Sequence, residues 1–171
     1  MPVASLPLGT DAKAAVALER SDGSDVPQNP AKSAARNKET VRRVYEECFN
    51  QGNTELLAEL VAPEFIGGQG ERGPAGFAAT IAGLRRGFPD IHFTVEDLIA
   101  EGERIAARWT WRGTHAGPFQ GFAATHKPIT NTGIVIFQLR DGQLLSSRSE
   151  VDRLSVLQQL GVIARPTVSG N

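Results

Sequence analysis

Apolar positions follow two different rhythms along this chain. From Asn37 onward, Val41, Val44, Tyr45, Cys48 and Phe49 recur at helical spacing, with Asn37 placed to cap the first turn. This helix closes near Gly52. Thr54 opens a second short helix, TELLAELVAP, ended by Pro63, and a brief strand Glu64–Gly67 follows. Gly73-Pro74 begins a third helix with proline in its favoured first turn, and Phe77, Ile81 and Leu84 share one of its faces.

The period then changes from helical to two. Ile91, Phe93 and Val95 alternate with His92, Thr94 and Glu96, and Glu101-Gly102 turns the chain into a strand from Arg104 to Gly113. There Ile105, Ala107, Trp109 and Trp111 alternate with Ala106, Arg108, Thr110 and Arg112. A Gly-rich connection leads to a long strand, Ile129 to Arg140, and Asp141-Gly142 gives a strong hairpin signal into Gln143 to Val151. Asp152 caps a closing helix, DRLSVLQQLG. Helices first and long antiparallel strands afterwards make an α+β fold. A curved sheet covered on one side by three helices, with a short C-terminal helix at its end, encloses a pocket.

Residues 1–36 contain no aromatic residue and no sustained periodicity, so they are expected to form a flexible extension. A short helix at Ala12 to Leu18 docking on a partner subunit is the sharper alternative. Residues 37–162 form the expected domain and 163–171 a C-terminal tail. The first residues lack the basic start and unbroken apolar core of a signal peptide, and no apolar run approaches the ~18 residues that cross a bilayer. A cytoplasmic protein is expected, without membrane partners. Eighteen Lys+Arg against nineteen Asp+Glu, net charge -1, give no bulk attraction to nucleic acid. The single cysteine, Cys48, excludes an internal disulfide, and no Cys/His spacing suggests a metal site. Cys48 sits with Val44, Tyr45 and Phe49 and reads as a core residue.

Three stretches carry a family resemblance. NKETVRRVYEECFNQGNTELLAELVAPEF, RRGFPDIHFTVEDLIAEGERIAARWTWRGTHAGPFQG, and RDGQL followed by VDRLSVLQQLG together resemble the SnoaL-like polyketide (ester) cyclases, over about residues 37–162. The resemblance implies the cone-shaped fold of the nuclear-transport-factor-two-like superfamily, with a curved mixed or antiparallel sheet, a small-molecule pocket and frequent dimerisation. It also implies an enzyme of secondary metabolism, such as antibiotic biosynthesis, that closes a ring in a polyketide-like substrate without a cofactor, as a lyase or isomerase.

The family's acid/base positions are changed in this sequence. Its aspartate on the last strand falls on Ser149, its histidine on Val135 and its asparagine on Gly67. An ordinary serine hydroxyl is no base near neutral pH, so the aldol mechanism does not transfer directly. Limonene-epoxide hydrolases share the fold and use an Asp-Arg-Asp set; Arg108 is similar to their arginine, but the acid positions become Thr110 and Ser149. On the presumed pocket face this leaves Arg108, Thr110, Arg112, Asn131, Ser147 and Ser149 among Val135, Phe137 and Leu139.

Each candidate carries two readings. Arg108 stabilises a substrate oxyanion or pairs with an internal acid; His115 is an acid/base group or holds its loop by a hydrogen bond. Ser149 contacts substrate, with Thr110, Asn131, Val135, Phe137 and Ser147 as substrate-binding neighbours. Glu150 enters the pocket only if a bulge turns it inward, and Asp152 acts as an acid or simply caps the helix. His92 and His126 read as surface residues. Trp109 and Trp111 lie opposite Arg108, and that aromatic face is expected to form a homodimer interface. The alternatives to a cyclase are an epoxide hydrolase or isomerase using Asp152 or Glu150, and a non-catalytic small-molecule-binding module.

Overall fold

In the computed structural model, residues 29–164 are described. The part of the expected extension covering residues 1–28, with its proposed Ala12 to Leu18 helix, and residues 165–171 of the tail lie outside them. Helix α1 spans Pro30–Arg43 and continues as a wider π-helical segment, Val44–Asn50. It begins seven residues before the expected Asn37. Asn29 accepts from Ala31 N–H at 3.0 Å, and Pro30 occupies the first turn, so the local sequence already holds a helix start there. Asn37 is instead buried inside the helix.

A 3₁₀ turn, Thr54–Leu56, leads into the single turn α2, Leu57–Leu60. The second helix thus stops short of Pro63. Val61 is β-branched and Ala62 precedes proline, a position pushed toward extended backbone, so both join strand β1, Val61–Ile66. Helix α3 covers Gly73–Gly87. Strands β2 (His92–Glu101), β3 (Arg104–Thr114), β4 (Pro128–Arg140) and β5 (Gln143–Val151) follow, then helix α4, Arg153–Leu160. Among the described residues the sheet runs β1-β5-β4-β3-β2, antiparallel except for the parallel β1/β5 pair.

Burial follows the alternation the sequence predicts. Along β4 every second residue from Ile129 to Leu139 is buried and the residues between are exposed or half-buried. The inner face of the sheet and the helices share one core, in which Tyr45 stacks on Phe49 at 5.4 Å and Phe93 meets Trp109 edge-on at 5.1 Å. Cys48 lies within that core, and burial together with nearby Glu47 pushes its thiol up to about 11. Side chains tie the helices to the sheet. Asn50 brackets the backbone of Phe93, accepting from its N–H at 2.7 Å and donating to its carbonyl at 3.0 Å. Arg85 donates to the Phe49 and Asn50 carbonyls at 2.8 and 2.9 Å, which satisfies carbonyls at the C-terminal end of the first helix. Gln159 of α4 grips the Thr130 backbone from both sides. The result is a sheet held against helices with a cavity left between them.

Candidate functional site

The strand pairing determines which side chains reach this cavity. Trp111 stands opposite Asn131, Trp109 opposite Gly133 and Ala107 opposite Val135; Val135 in turn pairs with Ser149 and Phe137 with Ser147. These residues therefore share the inner face. The cavity measures about 450 Å³, within the range of small-molecule sites. Its sheet wall carries Trp109, Trp111, Asn131, Val135, Ser147 and Ser149, and the helical wall opposite presents Tyr45, Phe49, Phe77 and Thr80. The loop between β1 and α3 contributes Gly68, Gln69 and Glu71, and the loop before β4 contributes Pro118, Phe119 and Gln120. Arg86 and Arg153 also line the cavity.

Five expected site residues, Asn131, Val135, Phe137, Ser147 and Ser149, line this cavity. Asn131 is buried, and its side-chain oxygen accepts from Thr132 N–H at 2.9 Å, leaving its amide NH₂ to donate. The other five do not meet them. Arg108 and Thr110 occupy the outer face because β3 is turned the other way from the expected one. Arg108 is half exposed and ion-paired with Glu96 and with Asp97, the latter at 2.6 Å, while Thr110 donates to Glu96 at 2.5 Å. Arg112 also lies on that outer face, opposite Thr130. Glu150 pairs in regular register with Ile134 and is exposed, so no bulge brings it inward. Asp152 accepts from Ser155 N–H at 3.0 Å as the cap of α4 and is exposed.

His115 is fully buried but is not among the lining residues. Its Nδ1 accepts from Thr125 N–H at 3.2 Å and contacts the Thr125 hydroxyl at 3.0 Å. The Phe88 ring packs on it at 5.3 Å, and Nε2 has no partner among the described residues. Burial, with a smaller contribution from His126, lowers its pKa from the ordinary value. The histidine thus holds the loop together as a neutral imidazole.

Trp109 and Trp111 are buried within the chain at 4% and 3% exposure and form a cavity wall. They are not available as the expected dimer surface. The alternation in β3 was legible, but a 13-residue connection separates β3 from β4, so no tight turn announces which face of β3 meets Asn131 and Val135.

Several polar lining groups were missed on the sequence, Tyr45 and Glu71 among them. Tyr45 belongs to a helical apolar stripe, yet it lines the cavity, and burial raises its phenol well above the ordinary value while neighbouring Trp109 opposes this weakly. Its hydroxyl therefore remains a donor. Glu71 is the sole carboxylate among the described lining residues; it lies in a loop whose only sequence signal is the glycine cluster Gly67, Gly68, Gly70 and Gly73. The site thus combines aromatic walls, neutral hydroxyl and amide groups, one carboxylate and the guanidinium groups of Arg86 and Arg153, a lining suited to a carbonyl-bearing organic molecule.

The profile of the SnoaL-like polyketide cyclase family matches residues 39–160. This chain belongs to that family. Solved structures agree with the membership in fold. A Jannaschia sp. CCS1 protein named for the same family is 28% identical, with a TM-score of 0.69 over 77% of this chain and 94% of its own. TsrD from Streptomyces laurentii is 29% identical, with a TM-score of 0.67 over 77% and 97%. IdmH from Streptomyces antibioticus is 29% identical, with a TM-score of 0.64 over 73% and 98%. No curated protein matches the chain. The chain presents α+β architecture with a cavity between sheet and helices, and among the described residues no helix is long and apolar enough to cross a membrane.

Proposed function

We propose that this protein is a cofactor-independent cyclase of secondary metabolism that closes a ring in a polyketide-like small molecule, acting in the cytoplasm. The observation that carries this reading is the cavity lining. Aromatic walls from Trp109, Trp111, Phe77 and Phe93 offer a surface on which a flexible chain can fold, and the donors of Tyr45, Asn131 and Ser149 can hold its carbonyl oxygens. Fixing one reactive fold of a flexible molecule removes much of the entropy that opposes ring closure. Donors aimed at carbonyl oxygens stabilise the negative charge that develops there.

Both tryptophans of the chain line the cavity, so intrinsic fluorescence reports its occupancy. The deciding experiment combines fluorescence titration with product analysis by mass spectrometry and NMR, using linear poly-β-ketone esters of increasing length. The expected result is saturable quenching together with a cyclised product of unchanged mass, or lighter by water. Saturable quenching without any product would replace the cyclase reading with that of a binding module. Glu150 and Asp152, on which the hydrolase alternative depends, lie outside the cavity.

The homodimer belongs to the outer face of the sheet in this reading. Ile99, Ile134 and Ile136 stand there 66%, 48% and 50% exposed. Arg108 and Arg148 flank them on one side of the charge balance, Asp97 and Glu150 on the other. A two-fold axis lays one patch on its own copy, which matches apolar with apolar and lets opposite charges meet.

A further inference from the structure

The loop between β1 and α3 is shaped around Glu71. Ile66 and Arg72 bridge across it, and Gly67 N–H donates to Glu71 O at 2.9 Å, so residues 67 and 71 face each other on a tight turn. Position 67 has no side chain. A Cβ there would overlap the Glu71 carboxylate, standing 2.8 Å from its Cδ and 3.0 Å from its Cβ. The bare backbone of Gly67 is the space in which the acid lies. Gln69 N–H donates to Glu71 Oε2 at 2.9 Å. Thr80 of α3 shares its hydroxyl between Glu71 Oε1 at 3.3 Å and the Gly76 carbonyl at 3.4 Å.

Several carboxylates near the sheet and first helix are already committed. Glu47, Glu59, Glu64, Glu96 and Asp97 are all in ion pairs. Glu71 makes none among the described residues, and each of its oxygens holds one neutral donor. A carboxylate offers about four acceptor sites, so acceptor capacity remains on a residue that lines the cavity.

We propose that Glu71 is the acid/base residue of this site and that its substrates carry a methylene flanked by two carbonyls. This rests on the cyclase reading for the ring-closing step, but the proton transfer stands by itself. Carboxylates as a class are weak bases, so the carbon that one deprotonates must be acidified from both sides. Glu71 takes the proton from that methylene, and the C–H electron pair becomes an enolate whose oxygen is met by donors on the cavity wall. The enolate carbon then attacks a second carbonyl carbon of the same molecule. One C–C bond forms, the C=O π pair moves onto oxygen, and protonated Glu71 returns its proton to that alkoxide. No co-reactant is needed, and Glu71 ends as it began.

The test uses the full chain and ethyl benzoylacetate, a β-keto ester that cannot cyclise. Binding is followed by tryptophan quenching, and deuterium uptake at the flanked methylene by NMR in D₂O. Wild type should exchange the methylene faster than buffer, and Glu71→Gln should lose ~100-fold or more of that acceleration while Kd moves by less than about threefold. Gly67→Ala, which pushes the carboxylate out of its space, should lose exchange in the same way. Thr80→Val, which removes only one donor to Glu71, keeps the test open if Gly67→Ala fails to fold, and should lower exchange without changing Kd; Glu150→Gln should match wild type. Exchange retained in Glu71→Gln, or no exchange above buffer in wild type, overturns the proposal. Exchange that depends on Glu71 with no cyclised product from any poly-β-ketone leaves Glu71 as the base and overturns the cyclase reading alone.

Discussion

The Trp109 indole lies over the bare Cα of Gly133, its partner across the β3/β4 ladder. A Cβ on residue 133 would stand 2.6 Å from Trp109 Cζ2 and 2.9 Å from the Glu150 carbonyl. The indole cannot retreat easily, since Phe93 meets it at 5.1 Å from the neighbouring strand. Gly133→Ala is therefore expected to destabilise the chain by about 1–3 kcal/mol, the usual range for overpacking. Chemical denaturation would measure the loss, and the tryptophan emission should shift because a cavity wall has moved. An unchanged midpoint and spectrum would mean that the indole has room the packing does not suggest.

The same pair explains what the sequence could and could not disclose. Turn chemistry marked the hairpins to within a residue: Gly102-Glu103, one position past the expected pair, joins β2 to β3, and Asp141-Gly142 joins β4 to β5 with Asp141 and Gly142 both at positive φ. Strand alternation was equally plain. Alternation distinguishes two faces without saying which is inward, however, and the likeness of Arg108 to the limonene-epoxide hydrolase arginine placed it inside and the tryptophans outside. Gly133 was the available clue, since a glycine within an apolar strand marks close approach of a neighbour. Asn131, Val135, Phe137, Ser147 and Ser149 were placed correctly because the tight Asp141-Gly142 turn fixes β5 against β4. Glu71 and Tyr45 were not legible as site residues, since a loop carboxylate and a helical tyrosine acquire their positions only from tertiary packing.

Arg108 offers the most direct check on that reversal of faces. It is half exposed, with Glu96 and Asp97 as its partners, and exposed ion pairs contribute little to stability. Arg108→Gln should leave ligand binding and turnover within about twofold of wild type, the effect of a surface change remote from the site. Fluorescence titration and single-turnover product analysis would establish this. A loss of binding of about tenfold or more would return Arg108 to the cavity and contradict the strand pairing.

The outer face of the sheet should control assembly. Ile136 lies between Ala106 and Arg148 in the outer row, at the centre of the exposed isoleucines. A lysine there places two like charges together at a two-fold contact, and like-charge juxtaposition costs several kcal/mol. Ile136→Lys is expected to shift the sedimentation coefficient from dimer to monomer while leaving far-UV circular dichroism unchanged. A wild-type chain that sediments as a monomer at every accessible concentration would rule out the outer-face dimer.

His115 should give folding a pH dependence on the acidic side. Its pKa is lowered in the folded chain, mainly by burial and to a lesser extent by His126; Phe88 and Phe119 pack on its ring, and Nε2 has no partner among the described residues that would hold a second proton. The unfolded chain titrates near the ordinary value of 6.5. Above that value both states are neutral and the contribution to stability is fully present. Below it the unfolded state takes up a proton that the folded state refuses, so stability falls as pH decreases, until the folded imidazole also titrates. A single proton limits the slope to about 1.4 kcal/mol per pH unit. Denaturation of wild type and His115→Gln at pH 7.5, 6.5 and 5.5 isolates the effect from that of the carboxylates. The variant is expected to be weaker at pH 7.5, having lost the contact to Thr125, but to lose less stability between pH 6.5 and 5.5 than wild type. Parallel slopes would show that the buried imidazole accepts its proton without penalty, which would require a partner for Nε2 that the loop would have to move to supply.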